Sequence, residues 1–263
     1  MDGELRDALW NAVLDLLRQL EVSHLAFVQL AARGPSPPEM LLERIWIDFR
    51  HAARDMFGHV DPLTDLRQWF YAAQWNEVYD LLEFIASLAG GAEFEDACNA
   101  ALANENAAYR IVEGSIIELT DEQQLRAIED ALAAADNPPA VHEHLRTAVA
   151  RLADRPEPDC RNAMNEAISG LEALVGMISG SPKATLDAGL KLIDSRRLLP
   201  AHASLIKSWG ALYGYASDAG VRHGRNVGQP DLALEDALYF VVSCSAIVSY
   251  LIALARKTGV QLT

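Results

Sequence analysis

Cysteine is scarce in this chain. There are three in 263 residues, Cys98, Cys160 and Cys244, and no two form a C-x-x-C pair. That excludes the disulfide framework of small secreted domains and a cysteine zinc site. The common phosphate and nucleophile motifs are absent as well. No G-x-x-x-x-G-K-[ST], G-x-S-x-G or H-E-x-x-H occurs, so P-loop, nucleophile-elbow and zincin chemistries have no foundation here. His142-Glu143-His144 places two imidazoles two residues apart, on different faces of a helix. It reads as an exposed polar helix end, and neither a metal nor a cofactor is expected. The first residues, M-D-G-E-L-R-D, lack a basic segment followed by an apolar run. The expectation is therefore no signal peptide and a cytoplasmic protein.

Positive charge is also in short supply. The chain carries 22 Lys/Arg against 37 Asp/Glu, a net −15. Residues 1–120 hold 8 of the basic and 20 of the acidic residues, leaving 14 and 17 for residues 121–263. The acidic burden thus belongs to the N-terminal half, which could engage a protein partner. A whole-surface nucleic-acid binder is excluded, because phosphate is repelled by such a surface. A local basic patch is not. Lys183, Lys191, Arg196, Arg197, Lys207, Arg222 and Arg225 share a stretch whose only acids are Asp187, Asp194 and Asp218.

What is abundant is apolar helical periodicity. With 51% hydrophobic and 22% charged residues the composition is that of an ordinary globular protein with a sizeable core. Leu5, Leu9, Val13, Leu16 and Leu20 recur at helical spacing. A second helix is expected to carry Leu41, Ile45, Phe49 and Met56. A third is expected to run from Trp69 through Leu88 to Gly90-Gly91. Tyr109–Leu119 is the exception: β-branched residues flank Glu113-Gly114, which predicts a hairpin with a two-residue turn. Thr120-x-x-Gln123 fits a capping box opening the next helix. Prolines in Asp154–Asp159 suggest a boundary. The expected organisation is all-α: a multi-helix module over residues 1–153 with a hairpin at 109–119, then a helical bundle over 154–263. The uncharged run Ala237–Ala255 is long enough to span a bilayer. Its serines and tyrosines instead predict a core or dimer-interface helix, and no membrane partner.

The richest local set of proton-transfer and anion-binding groups lies in Leu212–Asn226, L-Y-G-Y-A-S-D-A-G-V-R-H-G-R-N. Metal-independent phosphodiester cleavage needs a group that exchanges protons near neutral pH, which histidine supplies, and a cation to hold phosphate, which arginine supplies. Arg222 and His223 provide both, with Asp218 placed to orient one of them. A purely structural alternative has Arg222 pairing with Asp218 to fix the loop. Arg161-Asn162 opens a long helix with Glu166 a turn further on. Arg161 could pair with Asp159, or Glu166 with a residue on another helix, forming a helix-start network.

Several of these stretches together resemble bacterial abortive-infection proteins of the AbiJ type. They are A-L-A-N-E-N-A-A-Y-R-I-V-E-G at 101–114, R-N-A-M-N-E-A-I-S-G-L-E at 161–172, T-L-D-A-G-L-K-L at 185–192, the 212–224 loop, and V-V-S-C-S-A-I-V-S-Y-L-I at 241–252. The opening L-R-x-A-L-W-N is a looser match. The resemblance implies an AbiJ N-terminal-type module joined to a C-terminal HEPN-like bundle. HEPN proteins are commonly dimers, and many are metal-independent ribonucleases. The candidates read from the residues themselves are Arg222, His223 and Asp218 for catalysis, with Arg225, Asn226, Lys207 and Arg161 for RNA contact. The sequence departs from the HEPN motif, in which four to six residues separate Arg from His. Here Arg222 and His223 are contiguous, and Arg225-Asn226 has no histidine downstream.

Overall fold

A computed structural model describes residues 1–28, 35–119, 121–134, 137–155, 157–218 and 232–262, the side chains of 24–28 and 217–218 excepted. Among these residues there are eleven α-helices and one two-stranded antiparallel sheet, the all-α fold with a small hairpin that the periodicity predicts. The chain forms two compact units, Met1–Thr120 and Asp121–Thr263.

The first unit holds α1 (Gly3–Val28), α2 (Pro37–Arg44), α3 (Pro62–Ala72), α4 (Trp75–Ala89), α5 (Ala92–Asn104) and the hairpin strands β1 (Tyr109–Val112) and β2 (Ser115–Glu118). Leu9, Phe70, Leu81, Leu82, Ile85, Leu102 and Ile111 are fully buried in one core. Each such side chain contributes about 1.5–3 kcal/mol by leaving water. Two expected helices are divided. The second stops as an α-helix at Arg44, continues as a π-helical turn over Ile45–Phe49, and breaks at His51, whose φ is 51°. The third splits at Ala73-Gln74, where the Gln74 N–H donates to the Glu77 carboxylate at 2.6 Å and starts α4 afresh. Arg6 stitches this break to α1 by donating from its guanidinium to the carbonyl oxygens of Phe70 and Ala73.

The hairpin forms as the turn chemistry predicts. Tyr109 pairs with Glu118 and Val112 with Ser115, and both turn residues, Glu113 and Gly114, take positive φ (49° and 78°). Two strands alone are marginal, and helix side chains supply what is missing. Asn99 on α5 accepts from Ile111 N at 2.8 Å and donates to Ile111 O at 2.9 Å, in the manner of a neighbouring strand. Glu83 accepts from Ile116 N and Glu95 from Gly114 N.

The second unit holds α6 (Glu122–Ala133), α7 (Pro139–Leu152), α8 (Cys160–Ser179), α9 (Leu186–Arg196), α10 (Ala203–Asp218) and α11 (Leu234–Thr258). The N-cap of α6 is Asp121, whose carboxylate accepts from Gln123 N and Gln124 N; Thr120, the expected cap, lies outside the described residues. α8 packs on α7, α9 and α11, and α11 packs also on α6 and α7. The two units therefore divide before α6, not at residue 153. The apolar stripe of α6 (Leu125, Ile128, Leu132) and that of α7 (Val141, Leu145, Val149) are buried in the second unit. α11 is long and apolar enough to cross a membrane, with a mean hydropathy of 2.2 over its most apolar stretch, and half of that stretch is buried.

Candidate functional site

α10 ends at Asp218. Arg222, His223, Arg225 and Asn226 lie outside the described residues, as does the Asp218 side chain. What the structure does place is the frame on either side of them. Lys207 stands exposed on α10. Arg161 is half-buried in the first turn of α8 and interacts with neighbouring groups. The start of α8 is capped by Asp159, which accepts from Asn162 N at 3.2 Å and Asn162 Nδ2 at 2.6 Å.

α10 and α11 meet through aromatic rings. Trp209 lies 5.9 Å from Tyr250 edge-on, and Tyr215 lies 5.6 Å from Phe240 at an interplanar angle of 23°. The order of these pairs makes the helices antiparallel, so the C-terminal end of α10 adjoins the first turns of α11. Tyr239 stands nearly perpendicular to Phe240 at 5.8 Å. Phe240 is 2% exposed, whereas Tyr215 and Tyr239 are 50% and 60% exposed.

A second polar feature joins α7 to α8. His144 donates from Nδ1 to Glu166 Oε2 at 2.7 Å, with both side chains partly exposed. The helices approach closely here because Gly170, one turn beyond Glu166, has no side chain. A Cβ on it would lie 3.2 Å from His144 Cβ. Glu166 thus pairs with another helix, one of the two arrangements open from the sequence. His144 was not expected in such a pair, since H-E-H reads as an exposed helix end. Its neighbour Glu143 does behave so: Arg146, donating to its carboxylate, holds it below the ordinary carboxylate pKa. Among the described residues no cluster of His, Cys, Asp or Glu could hold a metal ion.

A family model described as AbiJ N-terminal domain 4 matches residues 1–134, more than half of the 263-residue chain. The chain belongs to the AbiJ N-terminal domain 4 family. The match takes in the hairpin and α6. It points to a role in abortive infection. No curated protein matches the chain, and no solved structure does.

The AbiJ N-terminal domain has a polar cleft of its own. It measures about 550 Å³ and opens between α1 and α3, over Trp10 and Leu63. On its rim Tyr71 donates its hydroxyl hydrogen to Asp7 Oδ1 at 2.5 Å, and the Arg67 guanidinium covers the Tyr71 ring at 5.2 Å. Burial, then the bond and the charge of Asp7, push the Tyr71 phenol above its ordinary pKa.

Proposed function

We propose that this protein acts in abortive infection against phage and that its second unit is a HEPN-like bundle that cleaves or binds RNA without a metal. The observation carrying this reading is the AbiJ-type match over residues 1–134, in a chain whose second unit carries α10 and α11 on either side of the Arg222-His223 segment. In cleavage, Arg222 holds the phosphate and His223 takes the proton of the ribose 2′-hydroxyl as that oxygen attacks phosphorus. The P–O5′ bond breaks, and the leaving oxygen takes a proton from solvent. Asp218 orients one of the two groups, and Arg225, Asn226, Lys207 and Arg161 contact the RNA.

The proposed working form is a cytoplasmic homodimer joined through the second unit. The exposed side of α11 supports this, since Ala246, Tyr250 and Ala253 form an uncharged stripe. A second copy can cover such a stripe without like-charge repulsion.

The test is phage challenge of cells expressing His223→Ala, with the melting temperature of the purified variant measured alongside. Loss of a general acid–base group costs about 10²–10⁴ in rate, so protection should vanish while stability holds. Arg222→Lys keeps the charge and loses the guanidinium fork. Full protection by His223→Ala would remove His223 from the mechanism. The contiguous Arg222-His223 favours a second reading, a non-catalytic sensor whose acidic N-terminal half binds a protein. In that case wild-type protein leaves cellular RNA intact during infection.

A further inference from the structure

We infer that the cleft between α1 and α3 binds a small zwitterion, an α-amino acid with an apolar side chain. The site lies wholly in the first unit and is independent of the RNA reading. The described arginines of this unit serve the protein itself, with one exception. Arg18, Arg44, Arg50 and Arg54 pair with carboxylates, and Arg6 and Arg110 donate to backbone carbonyl oxygens. Arg67 has neither kind of partner among the described residues, and its guanidinium lies over the Tyr71 ring at the cleft. Asp7 gives Oδ1 to the Tyr71 hydroxyl and keeps Oδ2 for the cleft. The Asn11 amide, on the same wall, has no partner among the described residues. A cation, a carboxylate and an amide therefore line one cleft with hydrogen-bonding capacity left over. Asp7 and Arg67 touch the same tyrosine yet form no ion pair with each other.

Charge selects the occupant. Glu4 lies one turn before Asp7 on α1, and Asp61 caps α3 one turn before Thr64. A phosphate or a nucleic-acid strand would gain Arg67 but be repelled by these acids. A ligand carrying only positive charge would meet the Arg67 guanidinium. A zwitterion satisfies both sides, with its ammonium on Asp7 Oδ2 and its carboxylate on the Arg67 fork, whose geometry suits a carboxylate. An α-amino acid carries the two groups on one carbon, which matches charges held one tyrosine apart. The apolar lining sets the side chain. Asp7 and Tyr71 mark one end of the cleft, and the half-buried Leu14 and Leu63 line it two turns further along α1 and α3, about 10 Å along the helix axes. An aliphatic or aromatic side chain reaches toward them and leaves water there. The volume, about 550 Å³, falls within the usual range for small-molecule sites.

The test is isothermal titration of the full chain with L-leucine and L-phenylalanine. Each is compared with its analogue lacking the ammonium (4-methylpentanoate, 3-phenylpropanoate) and its analogue lacking the carboxylate (3-methylbutylamine, phenethylamine). At least one of the two amino acids should bind with a Kd of about 1 mM or below, and both of its analogues should bind about 10-fold or more weakly. Arg67→Gln should weaken that amino acid about 10- to 100-fold and erase its advantage over the amine. Asp7→Asn keeps an acceptor for Tyr71; it should weaken the amino acid similarly and erase its advantage over the carboxylate. Circular dichroism checks that both variants fold, and the analogue series on wild-type protein decides the matter if either does not. Absence of binding by both amino acids at about 10 mM would overturn the inference. So would an amine or a carboxylate that binds as tightly as the zwitterion, or folded variants whose affinity is unchanged.

Discussion

Glu166 on α8 accepts a 2.7 Å hydrogen bond from His144 on α7, across a helix contact that Gly170 keeps close. Both groups are partly exposed, so solvent screens the pair and its contribution is modest. Glu166→Gln and His144→Ala should each cost about 0.5–1.5 kcal/mol in urea unfolding. The double variant should cost less than the sum of the two, because both substitutions break the same bond. Strict additivity would show that the pair does not couple.

Glycines on two helices of the second unit should respond oppositely to alanine. A Cβ on Gly189 would fall 2.5 Å from Val175 Cγ1, a stiff β-branched neighbour, whereas one on Gly210 meets only the Asp187 carboxylate at 3.9 Å. Alanine gains up to about 1 kcal/mol of helix propensity at either site. Gly210→Ala should raise the melting temperature, and Gly189→Ala should lower it because overpacking costs about 1–3 kcal/mol.

Asn99 should be the most sensitive polar side chain of the hairpin region. Asn99→Ala leaves both Ile111 N and Ile111 O without their α5 partner. The expected loss is about 2–3 kcal/mol, since each unsatisfied group costs about 1–3 kcal/mol and the site is only partly buried. Hydrogen exchange at Ile111 should accelerate in the variant. An unchanged exchange rate would mean that the strand pairing alone holds β1.

The three thiols should divide by burial. Burial pushes Cys98 and Cys244 up to about 12, while Cys160 is only partly covered and is raised less. Native protein should expose one titratable thiol to a disulfide reagent at neutral pH, and all three after denaturation. Because the two folded-state values lie above the ordinary 9, the associated stability is intact below pH 9. It is lost as pH rises from there toward about 12. Unfolding midpoints that stay flat from about pH 9 to 11 would contradict the buried-thiol assignment.

The sequence by itself determined what is local. Helical periodicity set the all-α class, and Glu113-Gly114 set the hairpin turn, because backbone preference there does not depend on distant partners. Five stretches between residues 101 and 252 together carried the AbiJ resemblance; the family match covers the first of them and the looser L-R-x-A-L-W-N start, and the other four lie beyond it. Tertiary structure decided what depends on contacts between distant residues. The periodicity runs on through His51 and through Ala73-Gln74, yet the helices break at both. At the second break Arg6, more than sixty residues away, takes up the freed carbonyl oxygens. The prolines at 154–159 look like a domain boundary. The division instead falls before α6, because the apolar stripes of α6 and α7 find their partners on α8 and α11. Glu166 and His144 lie 22 residues apart, and Tyr215 and Phe240 lie 25 apart. Their pairing is set by how the helices pack, a long-range property that helical spacing does not encode.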